Sequence, residues 1–212
     1  MSWSEPISLY CERTSPAFWS EPVNAATNVA FLIAAALALV LWRSQERTDP
    51  ATAALIALTA VIGLGSFAFH TLATKGAVLL DVIPIALFVY GYLLLALRRF
   101  LQLSLVATCV ILVAFIAASR ALAAVVSSDV LNGSLEYLPP LAALITVGLL
   151  LRRSGTGRSI LLAAALFTLS LVFRTIDRRV CAGFPLGTHF VWHLLNAAVL
   201  FFLLRTAITK RS

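Results

Sequence analysis

Seven apolar stretches of near-membrane length follow one another through this chain, separated only by short polar breaks. They run from about Asn24 to Trp42, Ala51 to His70, Ala77 to Leu97, Phe100 to Ser119, Leu135 to Leu151, Ser159 to Phe173 and Thr188 to Leu204. A bilayer core about 30 Å thick needs about 20 apolar residues per helical span. The runs are continuously apolar rather than alternating, which excludes a membrane β-barrel and predicts helices. Of the 212 residues, 61% are hydrophobic and 12% charged, and mean hydropathy is +0.98. A soluble domain is about 45–50% apolar and about a quarter charged. The expected fold is therefore an all-α integral membrane protein: a single seven-transmembrane domain over residues 1–212, with no separate soluble domain.

The polar breaks carry the charge. They include Arg43–Pro50, the turn at Lys75 and Gly76, the Arg98–Arg99 pair, Ser127–Ser134, and a loop with Arg152, Arg153 and Arg158. A longer loop is expected from Arg174 to Gly187, before the last span. The net charge of +7 thus reads as loop anchoring and not as a nucleic-acid surface. Trp3, Tyr10 and Trp19 in the polar first 22 residues suit a membrane interface, and no cleavable signal peptide is expected there. Counting Lys and Arg by side gives six with the N-terminus (Arg13, Lys75, Arg120, Arg174, Arg178, Arg179) and ten opposite. The ten are Arg43, Arg47, Arg98, Arg99, Arg152, Arg153, Arg158, Arg205, Lys210 and Arg211. The positive-inside rule then puts the N-terminus outside and the C-terminus in the cytoplasm.

That topology has a chemical consequence. The chain has three histidines. His189 and His193 stand four apart at the start of the last span, one helical turn from each other on one face. His70 ends the second span and Asp81 lies early in the third. All four fall at the same, non-cytoplasmic depth. Three neutral imidazoles can hold a metal and leave a fourth position open, as a catalytic zinc requires. The alternative is that each histidine packs or hydrogen-bonds between helices by itself. Asp81 is the carboxylate inside the apolar spans. It is a candidate general base, or else a structural partner of an arginine or a histidine. Ser66, one turn before His70, can donate to a developing oxyanion, or bond its own backbone. Cys109 is mid-span and reads as packing. Cys11 and Cys181 share the outer side, where a bridge would pin the N-terminal segment beside the histidine pair; two free thiols are the other reading.

Taken together, Ser66-Phe-Ala-Phe-His70, Asp81 and His189-Phe-Val-Trp-His193 resemble the pattern of the alkaline ceramidases. These belong to a superfamily of seven-helix membrane hydrolases with the adiponectin-receptor and haemolysin III-like proteins. Cys11-Glu12, the stretch Glu21 to Asn28, and Ile176-Asp177 before Cys181 resemble the ceramidase branch too. The resemblance spans nearly the whole chain in order. It implies a zinc-dependent amide hydrolase that cuts ceramide, or a related N-acyl lipid, into a sphingoid base (or amine) and a fatty acid. By that likeness His70, His189 and His193 bind zinc, Asp81 assists the water and Ser66 positions it or stabilises the oxyanion. Trp192 shapes the pocket, Tyr137 meets the substrate amide, and Cys11 and Cys181 form a disulfide. The family also carries a calcium site in the N-terminal segment. Here Glu12 and Glu21 remain as candidate ligands, but Leu9 and Thr14 stand where the family has an aspartate and an asparagine. That departure weighs against calcium, and the alternative is a bridge from these carboxylates to Arg13 or Arg174.

Two other functions use the same scaffold. A seven-helix receptor or pore-like protein would do no chemistry, although only a few residues follow the last span to serve signalling. A proton-coupled transporter would use the histidines and Asp81 as a proton path. The compact loops suggest a bacterial inner-membrane protein. The expected partners are the bilayer and a lipid substrate, not nucleic acid.

Overall fold

The computed structural model describes residues 2–46, 48–127 and 130–210. Arg47, Ser128, Asp129 and Arg211, which figured in the charge count or the predicted loops, lie outside the described residues. Eight α-helices are present among those described: α1 Pro22–Thr27, α2 Val29–Arg43, α3 Pro50–Leu72, α4 Lys75–Leu95, α5 Leu105–Val125, α6 Leu138–Leu150, α7 Gly155–Val180 and α8 His189–Thr209. α1 and α2 run on as one apolar span, and a π-helical turn, Ala96–Phe100, extends α4. A 3-10 segment, Val130–Tyr137, leads into α6. Seven candidate membrane spans result, and the protein is a multi-pass integral membrane protein.

Helix starts follow the local sequence. Asp49 accepts from Thr52 N at 2.8 Å, and Pro50 fills the first position of α3, where a missing N–H costs nothing. Thr74, Ser104 and Ser154 cap α4, α5 and α7 in the same way. α3 stops at Ala73, which takes a left-handed φ of 43°.

The bundle is apolar outside, and polar groups are buried within a largely apolar core. Val40, Val106 and Val125 are exposed to the surrounding lipid, while Asn24, Thr59, Ser170 and Asp177 are fully buried. With lipid as solvent, apolar packing alone does not drive helices together, so close approach and interhelical bonds carry that role. Gly65 shows the first: a Cβ there would lie 1.9 Å from Leu80 O, so α3 and α4 meet backbone to backbone.

α7 differs from the expected sixth span. It does not give way to a loop at Arg174 but continues to Val180. The charged run Arg174–Arg179 contains no helix breaker, and its exposed and buried members separate by face: Asp177 is buried, and Arg178 and Arg179 face out. The N-terminal segment folds back over this end of the bundle. Ile7 N donates to Ala73 O (2.8 Å), Gly76 N to Trp3 O (2.9 Å) and Lys75 N to Glu5 O (3.1 Å). A disulfide, Cys11–Cys181, fastens the segment to the end of α7.

Candidate metal centre

α3 delivers His70 in its last turn, and α8 delivers His189 and His193 in its first two turns. The start of α8 is fixed by Asp177, whose Oδ1 accepts from Thr188 N (2.7 Å) and His189 N (2.9 Å). Its Oδ2 accepts from Cys11 N at 3.1 Å, so one buried carboxylate ties α7, α8 and the N-terminal segment together. Gly187, with φ of +65°, is the residue that lets the chain turn there. A Cβ would fall 2.1 Å from Asp177 Oδ1.

The three imidazoles converge. Ring centroids are 4.6 Å apart for His189–His193, 4.8 Å for His70–His193 and 5.2 Å for His70–His189. One ring nitrogen from each lies within 4.8 Å of the others, and all three residues are buried.

The hydrogen bonds behind the rings test whether this cluster suits a metal. His70 Nδ1 bonds Glu21 Oε2 at 2.6 Å, which places a proton on Nδ1 and leaves Nε2 bare. That Nε2 is buried with no partner. His193 Nδ1 bonds Thr27 Oγ1 at 2.9 Å. The Thr27 hydroxyl hydrogen is directed at Val23 O or Asn24 O, so Thr27 accepts from the imidazole and frees its Nε2 as well. His189 Nδ1 is buried and unpartnered, and its ring stacks on Tyr10 at 3.5 Å. Neutral rings with bare nitrogens facing one another, two hydrogen-bonded from behind and the third packed on Tyr10, form a donor set that could hold a metal. As a purely structural cluster they would leave buried acceptors orphaned, which is costly.

Asp81 and Ser66 stand beside this cluster. Ser66 is buried one turn before His70 and within hydrogen-bonding reach of Asp81. Asp81 Oδ1 is buried without a partner, and no arginine pairs with it among the described residues. Tyr137 and Trp192 meet edge to face at 5.0 Å. Both line an apolar cavity that continues past Phe31, Phe88 and Tyr92 to Leu203. Tyr137 therefore forms part of the cavity wall.

Glu12 and Glu21 are both engaged by protein donors. Glu12 accepts from Val23 N (2.7 Å) and Asn24 N (2.8 Å), which makes it the anionic cap of α1. Glu21 bonds Arg13 Nε, His70 Nδ1 and Asn24 Nδ2. Of the two alternatives in the sequence, the bridge to Arg13 is the one formed. Burial would push the Glu21 carboxyl up, but the hydrogen bonds from His70, Arg13 and Asn24 outweigh it and hold it below the usual carboxylate range. Arg13 also donates to His70 O at 2.7 Å.

Sequence reasoning did not assign Thr27, Asp177 or the Glu21–His70 bond to the site. Asp177 and Thr27 lay in stretches already noted for their likeness to the ceramidases, which is the only signal the sequence offered.

A family model described as ceramidase matches residues 10–211. This chain belongs to the ceramidase family. No curated protein matches it. Family membership and the buried histidine cluster together support a zinc-dependent amide hydrolase on a ceramidase-like scaffold, working on lipid within the bilayer.

Proposed function

We propose that the whole chain acts as one seven-span domain that cleaves the amide of ceramide or a related N-acyl lipid, releasing a sphingoid base or amine and a fatty acid. His70, His189 and His193 hold the zinc. The observation that carries this reading is the convergence of three buried imidazoles, two of them hydrogen-bonded from behind, whose nitrogens face one another. Bound there, zinc would polarise the scissile carbonyl and lower the pKa of water toward about 7.

The chain's own groups do the rest. Asp81 takes the proton of the attacking water and returns it to the leaving amine. Ser66 donates to the oxygen on which negative charge develops. Tyr137 meets the amide from the cavity wall, Trp192 walls the pocket, and the apolar cavity takes the acyl chain. Glu21 and Thr27 hold the imidazole tautomers. Glu12 and Glu21 already accept from protein donors, which weighs against calcium there.

We place the site and the N-terminus on the non-cytoplasmic side of a bacterial inner membrane, with the C-terminus in the cytoplasm. The excess of Lys and Arg at the opposite end supports that orientation. The test is mass spectrometry of lipids after purified protein is incubated with ceramides and other N-acyl lipids, with and without chelator. Chelator-sensitive release of fatty acid and amine is expected. No product from any amide would refute the reading.

A further inference from the structure

An arginine inside a membrane bundle is costly unless its charge is answered. Arg13 is answered by Glu21, and Arg99 by Asp49 at 2.9 Å. Arg174 has no carboxylate partner among the described residues. Its Nη1 donates to the Tyr10 hydroxyl at 3.1 Å, and its Nε is buried with no partner at all. The guanidinium carbon lies over three rings: Trp192 at 5.1 Å, Tyr137 at 5.2 Å and Tyr10 at 5.8 Å.

Those rings place it. Tyr10 stacks on His189, Trp192 lies against the same imidazole at 6.4 Å, and Tyr137 and Trp192 wall the apolar cavity. Arg174 therefore stands between the histidine cluster and two residues of the cavity wall. Among the described residues it is hydrogen-bonded to neither Asp81 nor the histidines. Ring faces hold the cation in place, but they offer no acceptor for the planar fork of N–H groups. A carboxylate does, with two parallel bonds.

We propose that Arg174 reads a carboxylate on the amine side of the substrate, so that the lipid amides cleaved best are N-acyl amino acids. This rests on the amide-hydrolase reading above. In an N-acyl amino acid the carboxylate carbon is two bonds from the amide nitrogen. With the scissile carbonyl at the histidines and the acyl chain in the cavity, that carboxylate comes within reach of the guanidinium. The reaction needs only water. The amide C–N bond breaks, a C–O bond forms on the acyl carbon, and the two hydrogens of water end on the amine. The products are a fatty carboxylate and a free amino acid.

The test separates binding from hydrolysis. Zinc-free protein is titrated with N-lauroyl-glycine, uncharged N-lauroyl-ethanolamine and laurate, following tryptophan fluorescence, for wild type, Arg174→Gln and Arg174→Lys. Wild type should bind N-lauroyl-glycine about ten- to a hundredfold more tightly than N-lauroyl-ethanolamine, the range of a charge-assisted hydrogen bond. Arg174→Gln should erase that ratio and Arg174→Lys should keep part of it. Equal affinities in wild type, or equal weakening of both ligands in Arg174→Gln, would overturn the proposal. So would laurate binding as tightly as N-lauroyl-glycine with the same dependence on Arg174, because the arginine would then read the product. If Arg174→Gln does not fold, the wild-type ratio and Arg174→Lys decide. The zinc-loaded enzyme is assayed on both amides in parallel. Hydrolysis of neither would sink the hydrolase reading, while the zinc-free titration would still judge Arg174.

Discussion

α3 and α8 are half buried, while α5 is 6% buried. All three are long and apolar enough to cross a membrane. α3 and α8 carry the three histidines and bury further polar groups such as Thr59, Ser66 and Thr206; α5 buries one residue, Thr108, and turns Val106, Val110 and Val113 to the lipid. The contrast teaches that hydropathy selects what enters the membrane, while polar side chains and close backbone approach select what becomes the centre. Substitutions should separate the two classes sharply.

The largest effect is expected at the centre. Asp81→Asn removes the proposed base while keeping its shape, so hydrolysis should fall about 10²- to 10⁴-fold with zinc content unchanged. Unchanged turnover would remove Asp81 from the mechanism. Next comes the support behind the rings. Glu21→Gln loses the carboxylate that fixes His70, and zinc affinity measured by competition with a chelator should drop about 10- to 100-fold. Unaltered affinity would reduce Glu21 to a partner of Arg13.

A smaller effect lies at the far end of α3. Burial pushes the Asp49 carboxyl up, but its bonds from Thr52 and Arg99 prevail and hold it below the usual range. The sign follows. A depressed folded-state pKa contributes stability above the unfolded value of about 4, and that contribution is lost as pH falls through the folded value. Thermal stability of wild type should therefore decline below about pH 4 more steeply than that of Asp49→Asn. Parallel profiles would contradict the pairing. The smallest effect is expected on α5, where Val110→Ala should change stability by no more than about 0.5 kcal/mol. A larger loss would mean that α5 packs against more than lipid.

The same contrast explains what could be read from the chain. Run length and apolar continuity announce spans, whether central or peripheral. The three histidines, Asp81 and Ser66 were visible because ionisable and polar residues are scarce in those runs. The end of α7 was not visible. Charges such as Arg174, Asp177 and Arg179 normally close a span, and nothing local shows that Asp177 turns inward to cap α8. The partners behind the rings were hidden for a related reason. Thr27 and His193 are 166 residues apart, Glu21 and His70 are 49, and only the packed bundle brings them together. The departure of the N-terminal segment from the family's calcium site was readable, and so was a bridge to Arg13, but the bond from Glu21 on to His70 was not.

The most direct test of the metal centre is the zinc content of purified protein by elemental analysis, for wild type and for a variant with His70, His189 and His193 all changed to Ala. About one zinc per chain in wild type, and none in a folded triple variant, is the expected result. A folded triple variant that keeps its full zinc would contradict the assignment of the three histidines as ligands.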